Sequence, residues 1–403
     1  MNIDALTSVF EDSIDKSCQE DQPFLSDLSP GDKPWDIHKL QSTKVSDFLS
    51  LGYESHLRQA ERMCDCAKHL EFGWRPDVKT GQNSLKLKSS HFCRVRHCPI
   101  CQWRRCLMWI ARFYQAFPKI YADHPEWRYI NITFTVRNCP VTELKSTLTE
   151  MNSAWQRLIQ RKAWPGLGFV RSTEITRGAW VFKSNRKIIS PKLVSKIPIE
   201  QRELKDKTIA HPHYHCLIAV PPGYFKGTKY LSTAKWAIMW QKALRSDYTP
   251  NCWVSIVKPK DYSKMRGDTI WETPEREELE LSVDEIRNAV LDASQNALLN
   301  PTGEEFQLSK FELILSAIKE SIKYAVKPDD MLLDPEWLIE LSTQLRNSRS
   351  IALGGEFKKY LKEDDATDQE MIGDAETLKE NEGGIFFGWR ERLERYQQRA
   401  VNK

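Results

Sequence analysis

The sequence predicts an α+β fold with a central antiparallel sheet that is covered by helices. Segments rich in β-branched residues alternate with segments whose apolar residues recur every three or four positions, which are the patterns of strands and of amphipathic helices. One predicted strand carries three of the nine histidines, and five of the ten cysteines fall between residues 64 and 101. We therefore expect a metal site on the sheet and, ahead of the sheet, a small helical zinc-binding domain.

Composition divides the chain into four parts. Residues 1–45 are polar and rich in turn-forming residues, so we expect a flexible N-terminal segment. The helical zinc-binding domain is predicted over 46–125 and the sheet domain over 126–355. Within the sheet domain, residues 261–306 form a charged and mainly acidic insertion. Residues 356–403 are a charged tail that ends in a predicted helix.

The individual elements follow from residue type and from the positions of Gly and Pro. β-branched residues such as Ile130, Ile132 and Val136 favour the first strand of the sheet domain. The predicted elements are strands over 127–137, 168–177, 211–220 and 252–258, helices over 141–162, 232–245 and 310–327, and an aromatic and basic helix over 386–399.

The strand over 211–220 carries the histidines and predicts a catalytic metal site. Side chains alternate along a strand, so His213 and His215 project from one face and can hold one cation. Pro212 separates His211 from the regular strand, and we expect His211 to lie outside the ligand set. We select Glu174, on a strand expected to neighbour the histidine strand, as the oxygen ligand. This donor set predicts a hard divalent ion, Mg²⁺ or Mn²⁺.

The helix over 310–327 carries a candidate nucleophile. Glu320 and Tyr324 are four residues apart and therefore share one face. Lys323 and Lys327 lie alongside them and can meet a phosphate together. The helix thus combines a phenol, a carboxylate and two cations.

The cysteines predict a structural zinc site. Cys93, Cys98 and Cys101 follow the spacing C-x4-C-x2-C, whose second half forms the tight turn that lets two thiolates reach one tetrahedral Zn²⁺. A fourth ligand must come from elsewhere in the region. The candidates are Cys64, Cys66, His69, His91 and His97.

Charge and hydropathy restrict the class of protein. The net charge of +4 is modest, but basic residues crowd together in short segments that could contact phosphates. Those segments are 86–88, 94–96, 104–105 and 183–207. No run of 18 or more apolar residues indicates a membrane span, and the N-terminus lacks the pattern of a signal peptide. We therefore expect a cytoplasmic enzyme without a membrane partner.

Together these motifs resemble the rolling-circle plasmid replication initiators, the Rep proteins of the HUH endonuclease superfamily. The resemblance runs from about residue 60 to about residue 355 and includes residues near Cys66, which favours Cys66 over Cys64 as the fourth zinc ligand. Four blocks carry it, at 93–101, 132–138, 211–225 and 320–327.

The resemblance implies a nicking enzyme of the single-tyrosine type. Tyr324 would attack one strand at the double-strand origin, giving a 5′-phosphotyrosine and a 3′-OH primer. Glu320 would activate water to end the round, and strand joining would follow. The implied partners are plasmid origin DNA with a hairpin or single-stranded nick site, a host helicase and the replication machinery.

Two other classes stay open at this point. A single-tyrosine HUH transposase or relaxase would share the metal and tyrosine chemistry and differ mainly in substrate. A non-catalytic zinc-containing DNA-binding regulator would explain the cysteines but not the histidine strand. A covalent DNA adduct separates the regulator from the enzymes, and its release by water, dependent on Glu320, separates an initiator from a transposase.

Overall fold

The computed structural model describes most of the chain. Three antiparallel sheets, of six, four and two strands, and the helices around them give an α+β fold, as predicted. The predicted insertion 261–306 lies outside the described residues, as do Glu320, Lys323 and Tyr324. The described residues are 22–76, 83–189, 191–194, 196–257, 318, 321–322, 325–361, 371–372 and 384–399.

Nine helices and twelve strands are defined within these residues. The helices are α1 Leu25–Leu28, α2 Lys33–Ser50, α3 Glu54–Cys64, α4 Pro99–Asp123, α5 Leu144–Ile159, α6 Pro191–Val194, α7 Thr233–Leu244, α8 Pro328–Met331 and α9 Pro335–Gln344. The strands are β1 His69–Pro76, β2 Asn83–Ser90, β3 Arg128–Thr135, β4 Cys139–Pro140, β5 Gly168–Arg177, β6 Trp180–Phe182, β7 Arg202–Leu204, β8 Ile209–Val220, β9 Cys252–Ile256, β10 Ile351–Gly355, β11 Ile385–Arg390 and β12 Arg395–Gln398. Among the described helices, none is both long and apolar enough to cross a membrane.

The larger sheet has six strands, and the histidine strand lies at its centre. Its order is β10-β5-β8-β3-β9, with the short β4 also paired to β8. Every pairing is antiparallel. Strand β5 has the predicted bounds and lies directly beside β8.

One face of the six-stranded sheet packs against α5 and α7 through aromatic rings. The ring centroid of Phe134 is 5.8 Å from that of Trp155 on α5 and 5.2 Å from that of Trp240 on α7. The buried guanidinium of Arg171 lies 4.2 Å from the ring centroid of Tyr214 and donates to Asn152 Oδ1 at 2.8 Å. Because large aromatic side chains remove much apolar surface from water, this face forms the core of the sheet.

The opposite face carries the histidines and is partly covered by α4. The ring centroids of Phe117 on α4 and Tyr129 on β3 are 6.0 Å apart. Phe113, one turn earlier, lies 5.4 Å from Phe357. Helix α4 thus packs against this face of the sheet.

A second sheet, with the order β12-β11-β1-β2, lies near the cysteines. The region predicted as a helical zinc-binding domain therefore also contains strands, β1 and β2. The predicted helix over 386–399 is wrong, because these residues form β11 and β12. Phe387 is fully buried with its ring 5.7 Å from that of Phe72, whereas Phe386 is 39% exposed. This alternation has the period of a strand, and Gly388 disfavours a helix.

The N-terminal segment is more ordered than its composition predicts. Residues 1–21 lie outside the described part, but α1 and α2 cover much of 25–50. Trp35 on α2 is 1% exposed and packs edge-on against Trp103 at 4.9 Å. Pro34 stands in the first turn of α2, where its missing N–H is not needed. Burial of Trp35 explains why a polar segment folds.

Both ends of the described chain meet in this region. The N–H of Gln398 on β12 donates to Pro23 O at 2.9 Å, and Tyr396 N donates to Asp36 Oδ1 at 2.8 Å. We call α1, α2, α3, β1, β2, β11 and β12 the four-stranded region.

Candidate metal centres

The three histidines occupy one face of β8. Strand β8 begins at Ile209, so Pro212 does not interrupt it before His213, contrary to the sequence interpretation. The ring centroids of His211 and His213 are 5.1 Å apart, and those of His213 and His215 are 4.9 Å apart. His211 differs from the other two, because its Nδ1 lies 2.6 Å from Asn138 Oδ1. Burial lowers the pKa of His211 to about 4, so this imidazole is neutral at physiological pH.

Glu174 joins His213 and His215 in a compact group that we call the carboxylate–imidazole group. Glu174 lies opposite His213 in the β5–β8 register. Its Oε2 is 3.3 Å from His213 Nε2 and 2.7 Å from His215 Nε2. Burial opposes ionisation of Glu174, but the hydrogen bonds and charge of the two imidazoles hold its pKa well below the ordinary value. The carboxylate is therefore ionised.

The second nitrogen of each imidazole is held by a neighbour. His213 Nδ1 lies 3.1 Å from the carbonyl of His211, which can only accept, so Nδ1 carries a proton. His215 Nδ1 lies 3.2 Å from Thr133 Oγ1. Such contacts fix ring orientation in metal sites. Sequence analysis missed Thr133, because only the β3–β8 register brings it opposite His215.

The carboxylate–imidazole group fits a divalent ion. Its three ligand atoms lie within 4.8 Å of one another. Neighbouring ligands of an octahedral ion at about 2.1 Å are about 3 Å apart, which matches the separations of 2.7 and 3.3 Å from Glu174 Oε2. One carboxylate and two imidazoles suit Mn²⁺, and Mg²⁺ with additional oxygen ligands.

The chain on either side of Tyr324 in sequence contacts the histidine-bearing face. Ser321 Oγ donates to Asn131 Oδ1 at 3.2 Å, and its carbonyl accepts from Ser172 Oγ. The carbonyl of Ala325 accepts from Ile175 N at 2.8 Å. Ser172 lies opposite His215, and Ile175 follows Glu174. The described residues nearest to Tyr324 in sequence are thus bonded beside the carboxylate–imidazole group.

Lys327 is the one predicted catalytic residue of this segment that the structure describes. It is half-buried and precedes α8. Burial raises the pKa of nearby Asp330 to about 6, although Lys327 and Arg177 oppose that rise. Lys327 therefore contributes positive charge close to the end of β5.

Four cysteines form a second compact group, which we call the cysteine cluster. Cys66 Sγ is 3.6 Å from the sulfurs of Cys98 and Cys101, and Cys93 Sγ is 3.6 Å from that of Cys101. These separations are too long for disulfides. They match the edge of a tetrahedron around Zn²⁺, about 3.8 Å for a Zn–S distance of about 2.3 Å. Cys64 is exposed and is not a member.

The local backbone explains why these thiols converge. Cys66 and Cys93 stand in loops, and each is followed by a residue with positive φ, 49° at Ala67 and 57° at Arg94. Cys98 precedes α4 and Cys101 lies in its first turn, where the helix dipole favours a thiolate. The N–H groups of Cys93 and Val95 donate to the sulfurs of Cys66 and Cys93, each at 3.4 Å.

The charge environment of the cysteine cluster favours a bound cation. The buried amine of Lys39 donates to Cys66 O at 2.7 Å. Burial lowers the pKa of Lys39, and the nearby thiols oppose this shift. Burial also opposes ionisation of Cys98, but hydrogen bonds from the other three thiols hold its pKa well below the ordinary value. These hydrogen bonds thus favour a thiolate at Cys98, and the thiolate is the form of cysteine that binds a metal.

Comparisons with known proteins identify the family. The profile described as Replication protein matches residues 84–397. "Protein rep" of Streptococcus pneumoniae serotype 2 (strain D39 / NCTC 7466) is 31% identical over 60% of this chain and 66% of its own length, just under two thirds. "Protein rep" of Bacillus amyloliquefaciens is 29% identical over 84% of this chain and 82% of its own. That of Lentilactobacillus hilgardii is 26% identical over 84% and 86%. No solved structure matches the chain. The resemblance to plasmid replication initiators is therefore confirmed at the level of the family, and the chain belongs to the Replication protein family.

Proposed function

We propose that this chain is a metal-dependent HUH-type endonuclease that nicks one strand of a plasmid origin and thereby starts rolling-circle replication. One observation carries the proposal: Ser321 and Ala325, which flank Tyr324 in sequence, are hydrogen-bonded to β3 and β5, the strands on either side of the histidine strand β8. Membership of the Replication protein family supports origin DNA as the substrate.

Tyr324 is the proposed nucleophile. Its phenolic oxygen forms a bond to the scissile phosphorus while the 3′ oxygen leaves, which gives a 5′-phosphotyrosine and a free 3′-OH primer. A phenol with a pKa of about 10 is a weak nucleophile, and Lys323 and Lys327 favour the phenolate. Glu174, His213 and His215 would hold Mg²⁺ or Mn²⁺, which when bound polarises the phosphate and stabilises charge on the leaving oxygen.

Glu320 is proposed to end the round. It stands four residues before Tyr324 in the sequence, and a carboxylate can accept a proton from water that attacks the regenerated origin. That step cuts the origin into a 5′-phosphate and a 3′-OH. The new 3′-OH then attacks the 5′-phosphotyrosine, which joins the displaced strand and releases Tyr324.

The cysteine cluster is proposed to be a structural zinc site. Cys66, Cys93, Cys98 and Cys101 provide a closed set of four sulfur donors, which is typical of zinc that stabilises a fold. Helix α4 begins at this cluster and packs against the six-stranded sheet. The proposed zinc would thereby hold the four-stranded region next to the nicking site.

The proposed partners follow from the same chemistry. The substrate would be a hairpin or single-stranded nick site, since an unpaired strand is freer than a duplex to adopt the backbone geometry that in-line attack by one tyrosine requires. The sequence has no Gly-x4-Gly-Lys-Ser/Thr loop for nucleotide-driven unwinding. A host helicase would therefore unwind the plasmid, and the replication machinery would extend the primer, in the cytoplasm.

The decisive experiment tests for the covalent adduct. Wild-type protein and the Tyr324→Phe variant are incubated with labelled single-stranded origin DNA and Mg²⁺ or Mn²⁺, and the adduct is mapped by peptide mass. We expect adduct with the wild type and none with Tyr324→Phe, which should still bind DNA. Tyr360→Phe is the matched control, because the Tyr360 hydroxyl is occupied by Asp123 Oδ2 at 2.8 Å. Normal cleavage by Tyr324→Phe would refute the assignment.

A second experiment separates an initiator from a transposase or relaxase. Glu320→Ala should still nick supercoiled origin DNA, because the first step uses the phenol and the metal site. The variant should fail to release the DNA, so covalent protein–DNA adducts should accumulate and plasmid products should exceed unit length. If Glu320→Ala terminates replication as well as the wild type does, Glu320 has no role in termination. If the wild type forms no adduct at all, the DNA-binding regulator becomes the better interpretation.

A further inference from the structure

Trp253 lies on the edge strand β9, in the same cross-strand row as His215. In the register of the sheet, Thr133 on β3 is opposite Trp253 on one side and opposite His215 on the other. Directly opposed residues of an antiparallel pair project from the same face. Trp253 therefore shares the face of the carboxylate–imidazole group, two strand spacings or about 10 Å from His215.

The indole of Trp253 is unusually open to solvent. It is 73% exposed, whereas Trp155, Trp236 and Trp240 on the opposite side of the sheet are at most 1% exposed. Among the residues that the structure describes, no aromatic ring and no cationic side chain stacks on this indole. The outward position is therefore not explained by packing, and an exposed aromatic face is available to a ligand.

The surroundings of Trp253 favour nucleic acid over a protein partner. Thr133 separates it from His215, and Ser172 continues the row beyond, so the face is polar rather than an apolar docking surface. Beyond the end of β3 the guanidinium of Arg137 lies 4.0 Å from the ring centroid of Tyr248 and 3.4 Å from Asp247 Oδ1. An exposed aromatic side chain on a polar surface provides the stacking platform that binds single-stranded nucleic acid.

We propose that Trp253 stacks on an unpaired base of the DNA strand close to the scissile phosphate. The inference rests on the proposed nicking function, which places single-stranded DNA on this face. Every base has an aromatic face, so the contact is tolerant of sequence and positions the strand rather than reading it. Trp253 is thus a positioning residue, which extends the substrate contact from the metal-bearing strands to the edge of the sheet.

The test compares two probes of equal length and equal phosphate charge, without added divalent ion. One is a single-stranded oligothymidylate, and the other is its abasic counterpart. Wild-type protein should prefer the oligothymidylate. Trp253→Ala should bind it about 5- to 100-fold more weakly, the loss that one base–aromatic stack represents, and should bind the abasic chain unchanged. Trp253→Phe should keep most of the preference, and Tyr53→Ala, an equally exposed aromatic far along the chain at 75%, should keep all of it.

Two results would overturn the proposal. The first is that Trp253→Ala prefers the oligothymidylate as strongly as the wild type does, or that it loses affinity equally for the oligothymidylate and the abasic chain. The second is a change in self-association by light scattering with unchanged DNA binding, which would make Trp253 a contact with a second copy of the chain. The salt dependence of binding should not change, since no charge is removed. Adduct formation by the wild type is measured separately, so failure of the nicking proposal and failure of the stacking proposal give different results.

Discussion

The cysteine cluster and the carboxylate–imidazole group are both compact sets of potential metal ligands, but they are built differently. All four cysteines are buried, at 0–3% exposure. The side chains of His213 and His215 retain 10% and 15% exposure, and only three protein donors are present among the described residues. A closed set of four donors is typical of a structural site, and an open set of three is typical of a catalytic one.

The two groups also differ in what holds their ligands in place. The cysteines come from two loops and from the start of α4, so no pairing of regular strands fixes the distances between them. Glu174 and the histidines stand on adjacent strands in fixed register, and backbone hydrogen bonds position them without a metal. Loss of metal should therefore unfold one region and merely inactivate the other.

The largest expected effect tests whether loss of zinc from the cysteine cluster unfolds the region around it. Cys98→Ser should remove one zinc per chain and unfold the four-stranded region, because structural zinc in small domains contributes about 10 kcal/mol or more. Zinc content and thermal unfolding measure this. Cys64→Ser is the control, since this neighbouring thiol is exposed and outside the cluster. If purified wild-type protein contains no zinc, the contrast between the two groups has no basis.

The next effect tests whether loss of the ion from the carboxylate–imidazole group inactivates the protein without unfolding it. His213→Ala or His215→Ala should lower adduct formation by about 10²-fold or more, since the ion that stabilises the leaving oxygen is lost. Thermal unfolding should change little. His211→Ala should retain a substantial part of the activity, because His211 Nδ1 is engaged by Asn138. Equal loss at all three positions would show that the ligand set is wrongly assigned.

A smaller effect concerns the contact that orients His215. Thr133→Val keeps the shape of the side chain but removes the hydroxyl near His215 Nδ1. We expect metal affinity to fall about 10- to 100-fold, as for other contacts behind a ligand, so that activity recovers at high Mn²⁺. Thr135→Val, which loses only a bond to Asn251 O, should leave the Mn²⁺ dependence unchanged. If both variants respond alike, the Thr133 contact is not specific.

The smallest effect tests whether the two regions are independent. Tyr396→Phe removes a hydrogen bond of 2.5 Å from the buried Tyr396 hydroxyl to Ala67 O, next to the ligand Cys66. Loss of one buried hydrogen bond should cost about 1 kcal/mol of stability, seen as a lower unfolding temperature of the four-stranded region. The rate of adduct formation at 25 °C should not change. A parallel loss of activity would show that the regions are tightly coupled.

Sequence patterns predicted best what depends on local periodicity. Alternation along a strand placed His213 and His215 on one face, and the bounds of β5 followed from its residue types. The roles of Glu320, Lys323 and Tyr324 remain predictions, since they lie outside the described residues.

What the sequence could not supply is contact between distant segments. Thr133 and Asn138 touch the histidines only because of strand register, which no local pattern encodes. The aromatic and basic segment over 386–399 is predicted as a helix. Its strands exist because Phe387 packs on Phe72, more than three hundred residues earlier in the chain.

The pairing of β11 with β1 has a consequence for how the protein is made on the ribosome. Synthesis proceeds from the N-terminus at about 5–20 residues per second, so β1 emerges before the whole six-stranded sheet and β11 emerges after it. Strands β3, β5 and β8 can pair while β1 still lacks β11. The histidine-bearing face can therefore form on the nascent chain before the four-stranded region, which begins earlier in the sequence, is complete.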